Sequence, residues 1–173
     1  LVGLDVAAHV AENMHEAYGD RMKQAPVWGR LKELKGKDGV KPKLLDDSGK
    51  QLQPAVANIV AQLKRDGGQA GSGPAAPKEI IERLVYPVVN EGARCLEEGI
   101  ARNAEDIDLA MVFGTGFAPF RGGPMQFAQT QGFKTVVEAL DRIAVTHPHL
   151  APSDALRRFA EQGSFESAAA SIA

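Results

Sequence analysis

Apolar residues recur at helical spacing through most of the chain. Over residues 3–18, Leu4, Ala7, Ala8, Ala11 and Met14 or His15 fall on one side of a helix that Gly19 is placed to stop. Residues 26–35 predict a second, short helix that begins at Pro26 and sets Val27, Leu31 and Leu34 on one side. The period is lost over 36–53. There Gly36, Gly39, Pro42 and the turn Asp46-Asp-Ser-Gly49 predict a loop with a short extended piece at 40–45. It returns over 54–65 through Val56, Ile59, Val60 and Leu63, and Asp66-Gly-Gly-Gln-Ala-Gly-Ser-Gly-Pro-Ala-Ala-Pro77 then reads as a flexible linker.

The longest helical signal follows, from Lys78 to Ala101, with Ile81, Leu84, Val85, Val88, Cys95 and Leu96 as its buried stripe. Pro87 lies inside it. A proline there deletes a backbone donor and crowds the carbonyl of Arg83, so a kink is expected. Asn103 is placed to cap the next helix, with Asp106 as a capping-box partner three residues on. Helices over 122–131 and 133–145 come next. Ser153 caps a last one that runs to Gln162, and residues 166–173 read as a frayed tail. Strand signal is negligible, so the expected class is all-α, a helical bundle with a flexible linker. Four segments are expected: 1–35, 36–77, 78–165 and 166–173.

Composition narrows the function. A net charge of −2 offers no electrostatic footprint for nucleic acid or an anionic membrane, and no apolar run reaches the 20 or so residues of a membrane span. Cys95 is the single cysteine, which excludes an internal disulfide and fits a reducing, cytoplasmic compartment. In an apolar stripe it reads as an inert buried thiol. The sequence begins at Leu1, inside a helical pattern, so a fragment of a longer polypeptide is expected.

The densest punctuation is Met111-Val-Phe-Gly-Thr-Gly-Phe-Ala-Pro-Phe-Arg-Gly-Gly-Pro124, directly after the acidic run Asn103-Ala-Glu-Asp-Ile-Asp-Leu-Ala110. Its glycines and prolines stop one helix and specify a turn before the next, and its three phenylalanines suggest a buried connection. Gly114 and Gly116 start like a dinucleotide fingerprint. Pro119 occupies the third glycine position, however, and the segment before them reads as helix where that fingerprint needs a strand. Arg121, beside Gly122 and Gly123 at a helix start, either binds an anion or pairs with Asp106 or Asp108. Asn90 and Glu91 interrupt the long helix after Pro87. Either Asn90 satisfies backbone groups freed by the proline, or the pair contacts a ligand or partner domain. His9 and His15 lie about 240° apart around a helix and cannot share a metal. His9, Glu12 and Glu16 read as a solvated face, and His147 and His149 flank Pro148 in a loop.

The ordered run Arg83, Pro87, Asn90-Glu91, Cys95-Leu96, Glu98-Gly99, then Asp106 and Asp108, then Gly114, Gly116-Phe117, Pro119-Phe120 and Gly122-Gly-Pro124 resembles the C-terminal helical domain of 3-hydroxyacyl-CoA dehydrogenase. It is similar above all to the second copy of that domain in multifunctional fatty-acid β-oxidation proteins. Where the family usually shows Phe-Pro-Pro-Phe, this chain has Phe117-Ala-Pro-Phe120. The start, Leu1 to Asp5 and then His15 to Asp20, resembles the end of the first copy, though the aromatic residues of the family's glycine-rich tail are missing from Gly36 to Leu45. Gly3-Leu-Asp-Val-Ala and Gly132-Phe-Lys-Thr-Val would be a weak internal repeat.

The resemblance implies a parent enzyme that oxidises 3-hydroxyacyl-CoA with NAD. Its nucleotide site and catalytic pair lie in an upstream Rossmann domain, and a catalytic asparagine lies in the first copy. It transfers no catalytic, cofactor-binding or metal residue to this chain. Pro87, Asn90, Glu91, Gly114, Gly116, Arg121, Gly122 and Gly123 stand as structural or interface candidates. The partners it implies are the upstream domains and, for the fragment, a homodimer or domain-swapped pair using residues 3–18. The competing reading is a stand-alone helical interaction module without catalysis.

Overall fold

Prolines and small polar residues set the helix starts. In a computed structural model, which describes residues 3–34, 43–66 and 76–165, α1 spans Leu4–Tyr18, α2 Pro26–Lys32, α3 Pro54–Asp66, α4 Pro77–Leu84 and α5 Tyr86–Glu97. They are followed by α6 (Ala104–Thr115), α7 (Pro124–Gln131), α8 (Phe133–Ala144) and α9 (Asp154–Gln162). Four of these begin on a proline, whose missing N–H would be unbonded there anyway and whose φ is already helical. Asn103 Oδ1 accepts from Asp106 N–H (2.8 Å) to start α6, and Ser153 Oγ accepts from Leu156 N–H (3.2 Å) to start α9. The capping box at α6 is not completed, because the Asp106 carboxylate accepts from Arg102 Nε instead (3.2 Å). Among the described residues the extended structure is a single antiparallel bridge, Leu45 to Leu52, closed by the Asp46–Gly49 turn. The chain is all-α.

The chain divides into two compact units, Leu1–Pro74 and Ala75–Ala173. In the first, Leu4, Leu31 and Val56 bring α1, α2 and α3 together, with Val27, Trp28, Leu34 and Ile59 around them. Lys32 Nζ donates to both oxygens of Glu12 (2.7 and 2.8 Å), which holds that carboxyl below its ordinary range. The opposite side of α1 leaves Val6, Val10, Met14 and Tyr18 exposed, four residues apart along one row.

In the second unit the core draws on Tyr86, Val89 and Ala93 of α5, Phe127 and Ala128 of α7, Phe133, Val136, Ala139 and Leu140 of α8, and Leu156 and Phe159 of α9. Phe165 closes the end of this core edge-on to Phe133 and Phe159, with ring centroids 4.4 and 5.0 Å away. Gly92 lets α5 approach α7. A Cβ there would stand 2.6 Å from Met125 Sδ.

Three expectations change. The helix over 78–101 is two elements that meet at Val85, with Pro87 in the first turn of α5, where its missing donor costs least. It ends at Glu97 rather than Ala101. The expected stripe is also turned at its start, though its Val85 and Leu96 pack against the core. Glu82, Tyr86, Val89, Asn90 and Ala93 are buried, while Ile81 and Leu84 face solvent. Finally, Phe113 and Phe120 are exposed, so the turn after α6 is not a buried connection. Phe117 alone of the three packs against the core. The linker assigned to 66–77 falls almost entirely outside the described residues, as do the whole tail at 166–173 and residues 36–42 of the 36–53 loop.

Candidate functional site

Two polar residues of the 83–124 run, Asn90 and Asp108, lie at helix junctions in the second unit. At the first, Asn90 is buried on α5. Its Nδ2 donates to the Ala151 carbonyl (2.9 Å) and its Oδ1 accepts from Ser153 N–H (2.7 Å). One amide thus satisfies a donor and an acceptor of the segment that leads into α9, and Ser153 then caps that helix. The backbone groups near Pro87 do not receive this side chain. Its partners lie 61 and 63 residues further along the chain. Glu91, next to it, is half-buried and has its own contacts.

At the second junction Asp108, on α6, caps α7. Gly123 has no side chain to do so, and the Asp108 oxygens accept from Met125 N–H (2.7 Å) and Gln126 N–H (2.9 Å). Gly123 has φ 116° and ψ 174°, a region essentially reserved for glycine, and a Cβ built on it would fall on the Asp108 carboxylate. Burial pushes the Asp108 carboxyl above its ordinary range. The two amide bonds oppose that shift, and the neighbouring Glu105 charge adds to it. Gly122 also has positive φ and approaches Gln126. Gly114, in contrast, lies in the last turn of α6 with open space around it, and Gly116 is the left-handed cap of that helix. A pair of glycines that ends a helix does not fit a pyrophosphate loop, which is built between a strand and a following helix.

Arg121 does not pair with Asp106 or Asp108, whose carboxylates are taken by Arg102 and by α7. Its guanidinium stands over Phe120 and Phe127, 5.5 and 5.7 Å from the ring centroids. Elsewhere, His15 Nδ1 lies 3.0 Å from the Gly19 carbonyl, and His147 Nδ1 lies 2.8 Å from Thr146 Oγ1. Among the described residues no group of three or more His, Cys, Asp or Glu side chains is placed to hold a metal, and no helix is long and apolar enough to cross a membrane. Two features escaped the sequence pattern. One is the cap that Asp108 provides to a helix 17 residues on, and the other is Glu82, buried and paired with Arg142 Nη2 at 3.1 Å. Asp-x-Asp upstream of Gly-Gly-Pro is the local signal for the first. The second has none.

An all-α unit in which Asn90 and Asp108 tie helix ends together defines the class: a helical domain. Its family follows from sequence comparison. Residues 80–171 match the model of the 3-hydroxyacyl-CoA dehydrogenase C-terminal domain, and the chain belongs to that family. It is 32% identical over 165 residues to the fatty acid oxidation complex subunit alpha of Idiomarina loihiensis, an alignment that takes in 94% of this chain and 23% of that protein. Gly3 and Gly132, the proposed repeat, both precede helices, though with φ of −69° and 86°.

Proposed function

We propose that the chain is the C-terminal helical part of an NAD-dependent 3-hydroxyacyl-CoA dehydrogenase of fatty-acid β-oxidation, and that its role there is structural. The family match and the name of the relative support the dehydrogenase assignment. The observation that carries the structural role is where the motif's polar groups go. Asn90, a site candidate in the sequence, and Asp108, which was not one, direct their hydrogen bonds to the starts of α9 and α7. On this reading, hydride transfer from the 3-hydroxyl carbon to NAD takes place in upstream domains, in the cytoplasm. This chain covers the substrate-side helical surface and packs against the preceding copy. The exposed row Val6, Val10, Met14 and Tyr18 on α1 supports association through residues 3–18.

The isolated chain is expected to leave the NADH absorbance at the no-protein rate when given acetoacetyl-CoA. NADH oxidation well above that control would overturn the structural role. In the longer polypeptide, deletion of residues 75–173 is expected to lower both dehydrogenase activity and melting temperature, and an unchanged enzyme would refute the packing role.

A further inference from the structure

Two histidines share the turn that leads from α8 towards α9. His147 and His149 flank Pro148, whose ring fixes φ. Leu150 N–H donates to the His147 carbonyl (2.9 Å) and Ala151 N–H to the Pro148 carbonyl (3.1 Å), while His147 N–H donates to the Ile143 carbonyl of α8 (3.0 Å). The backbone beneath both rings is therefore held. Both side chains are half-buried, with ring centroids 6.1 Å apart and planes inclined by 63°. With metal–nitrogen bonds of about 2.0–2.1 Å, two imidazoles on one ion have centroids at most roughly 6.4 Å apart, and about 5 Å apart at a tetrahedral angle. The observed spacing lies inside that span, and side-chain rotation by about 1 Å reaches the tetrahedral value.

We propose that His147 and His149 together bind one late first-row divalent cation, Zn2+ or its neighbours Cu2+ and Ni2+, and that His147 ligates through Nε2. These are the ions that imidazole suits. The choice of nitrogen follows from Thr146, whose Oγ1 lies 2.8 Å from His147 Nδ1 and 3.4 Å from the Ile143 carbonyl. When the hydroxyl turns towards that carbonyl, its oxygen accepts from Nδ1–H, and Nε2 is left with a bare lone pair. A ligating histidine held by its other ring nitrogen in this way is the usual arrangement at metal sites. His149 has further contacts of its own, which also restrict its ring. Two protein ligands are fewer than the three or four of resident zinc sites, so water fills the remaining positions and the ion is exchangeable. Bound there, it clamps the turn beside Ala151, whose carbonyl Asn90 holds. The site is independent of the dehydrogenase assignment and of association through α1.

Calorimetric titration of the whole, tag-free chain with zinc chloride tests the site, with the imidazole NMR signals followed in parallel. One equivalent is expected to bind, and the ring signals of His147 and His149 should move together. His147→Gln and His149→Gln should each weaken binding at least about tenfold. Thr146→Val should weaken it about tenfold while Thr146→Ser preserves it, because only the hydroxyl orients the ring. A peptide of residues 145–151 should bind at least about tenfold more weakly than the folded chain, since it lacks the held turn. The rival pair is His9 and Glu12, 3.9 Å apart on α1, and His9→Gln should leave the affinity unchanged. No binding at millimolar Zn2+, a peptide as tight as the chain, binding indifferent to His147→Gln or Thr146→Val, or binding lost in His9→Gln would overturn the proposal.

Discussion

Removing the Asn90 side chain should damage the second unit more than any surface substitution. Asn90→Ala deletes a donor and an acceptor that serve the Ala151 carbonyl and the Ser153 N–H. A buried polar group that loses its partner costs about 1–3 kcal/mol. Ser153 is buried and bears the full penalty, while Ala151 is half-buried and water can reach part of its carbonyl. The sum comes to about 2–4 kcal/mol, and the loosened approach to α9 adds to it. For a unit of this size 1 kcal/mol moves the melting point by about 4–8 °C, so the second unit should melt at least about 8 °C lower. Asn90→Asp separates hydrogen bonding from packing. It keeps the acceptor for Ser153 but sets a carboxylate against the Ala151 carbonyl, which with burial raises the folded-state pKa of the new acid. A carboxyl whose folded pKa is raised gains stability as pH falls through that value, since protonation supplies the missing donor. The deficit of Asn90→Asp should therefore shrink from neutral pH toward about pH 4–5, while that of Asn90→Ala should not. Calorimetry of wild type and both variants at several pH values is the assay. Melting points within about 2 °C of wild type, or an Asn90→Asp deficit that does not change with pH, would refute the reasoning.

The glycines of the 111–124 run should respond unequally. Gly123→Ala strains a glycine-only conformation and displaces the Asp108 cap, at a cost on the order of 3 kcal/mol, whereas Gly114→Ala fills open space in a helix and should stabilise by about 0.5–1 kcal/mol. Urea midpoints of the two variants check both signs. The Asp108 carboxyl should titrate above the ordinary carboxylate range in a carbon-detected NMR titration. With its folded pKa above the unfolded one, its contribution to stability falls as pH rises through the interval between the two values and is regained on acidification. A midpoint at or below the ordinary aspartate value would contradict the burial argument.

Helix starts and stops were legible because their causes lie within a few residues. Pro26 opens a helix, Asn103 and Ser153 cap helices through bonds three residues on, and Gly19 follows α1, all from contacts the chain makes with its near neighbours, whereas Pro77, read as the end of the linker, opens α4. The family was legible for a related reason, since the order and spacing of residues from Arg83 to Pro124 survive without knowledge of what they touch. Periodicity gives the angles between residues on a helix but not the direction of the partner helix. The sequence alone therefore turned α4 the wrong way, placing Ile81 and Leu84 inward where Glu82 is buried, while Val85 and Leu96 do pack against the core. A phenylalanine in a turn carries no mark of which side the turn will show, so the exposure of Phe113 and Phe120 also had to wait for the packing of α6 on α7. Only tertiary structure decided that Asn90 would serve Ser153, that Asp108 would cap α7, and that Glu82 would meet Arg142. Each of these bonds joins residues that the fold makes neighbours across a long stretch of chain, and no local propensity encodes such a meeting.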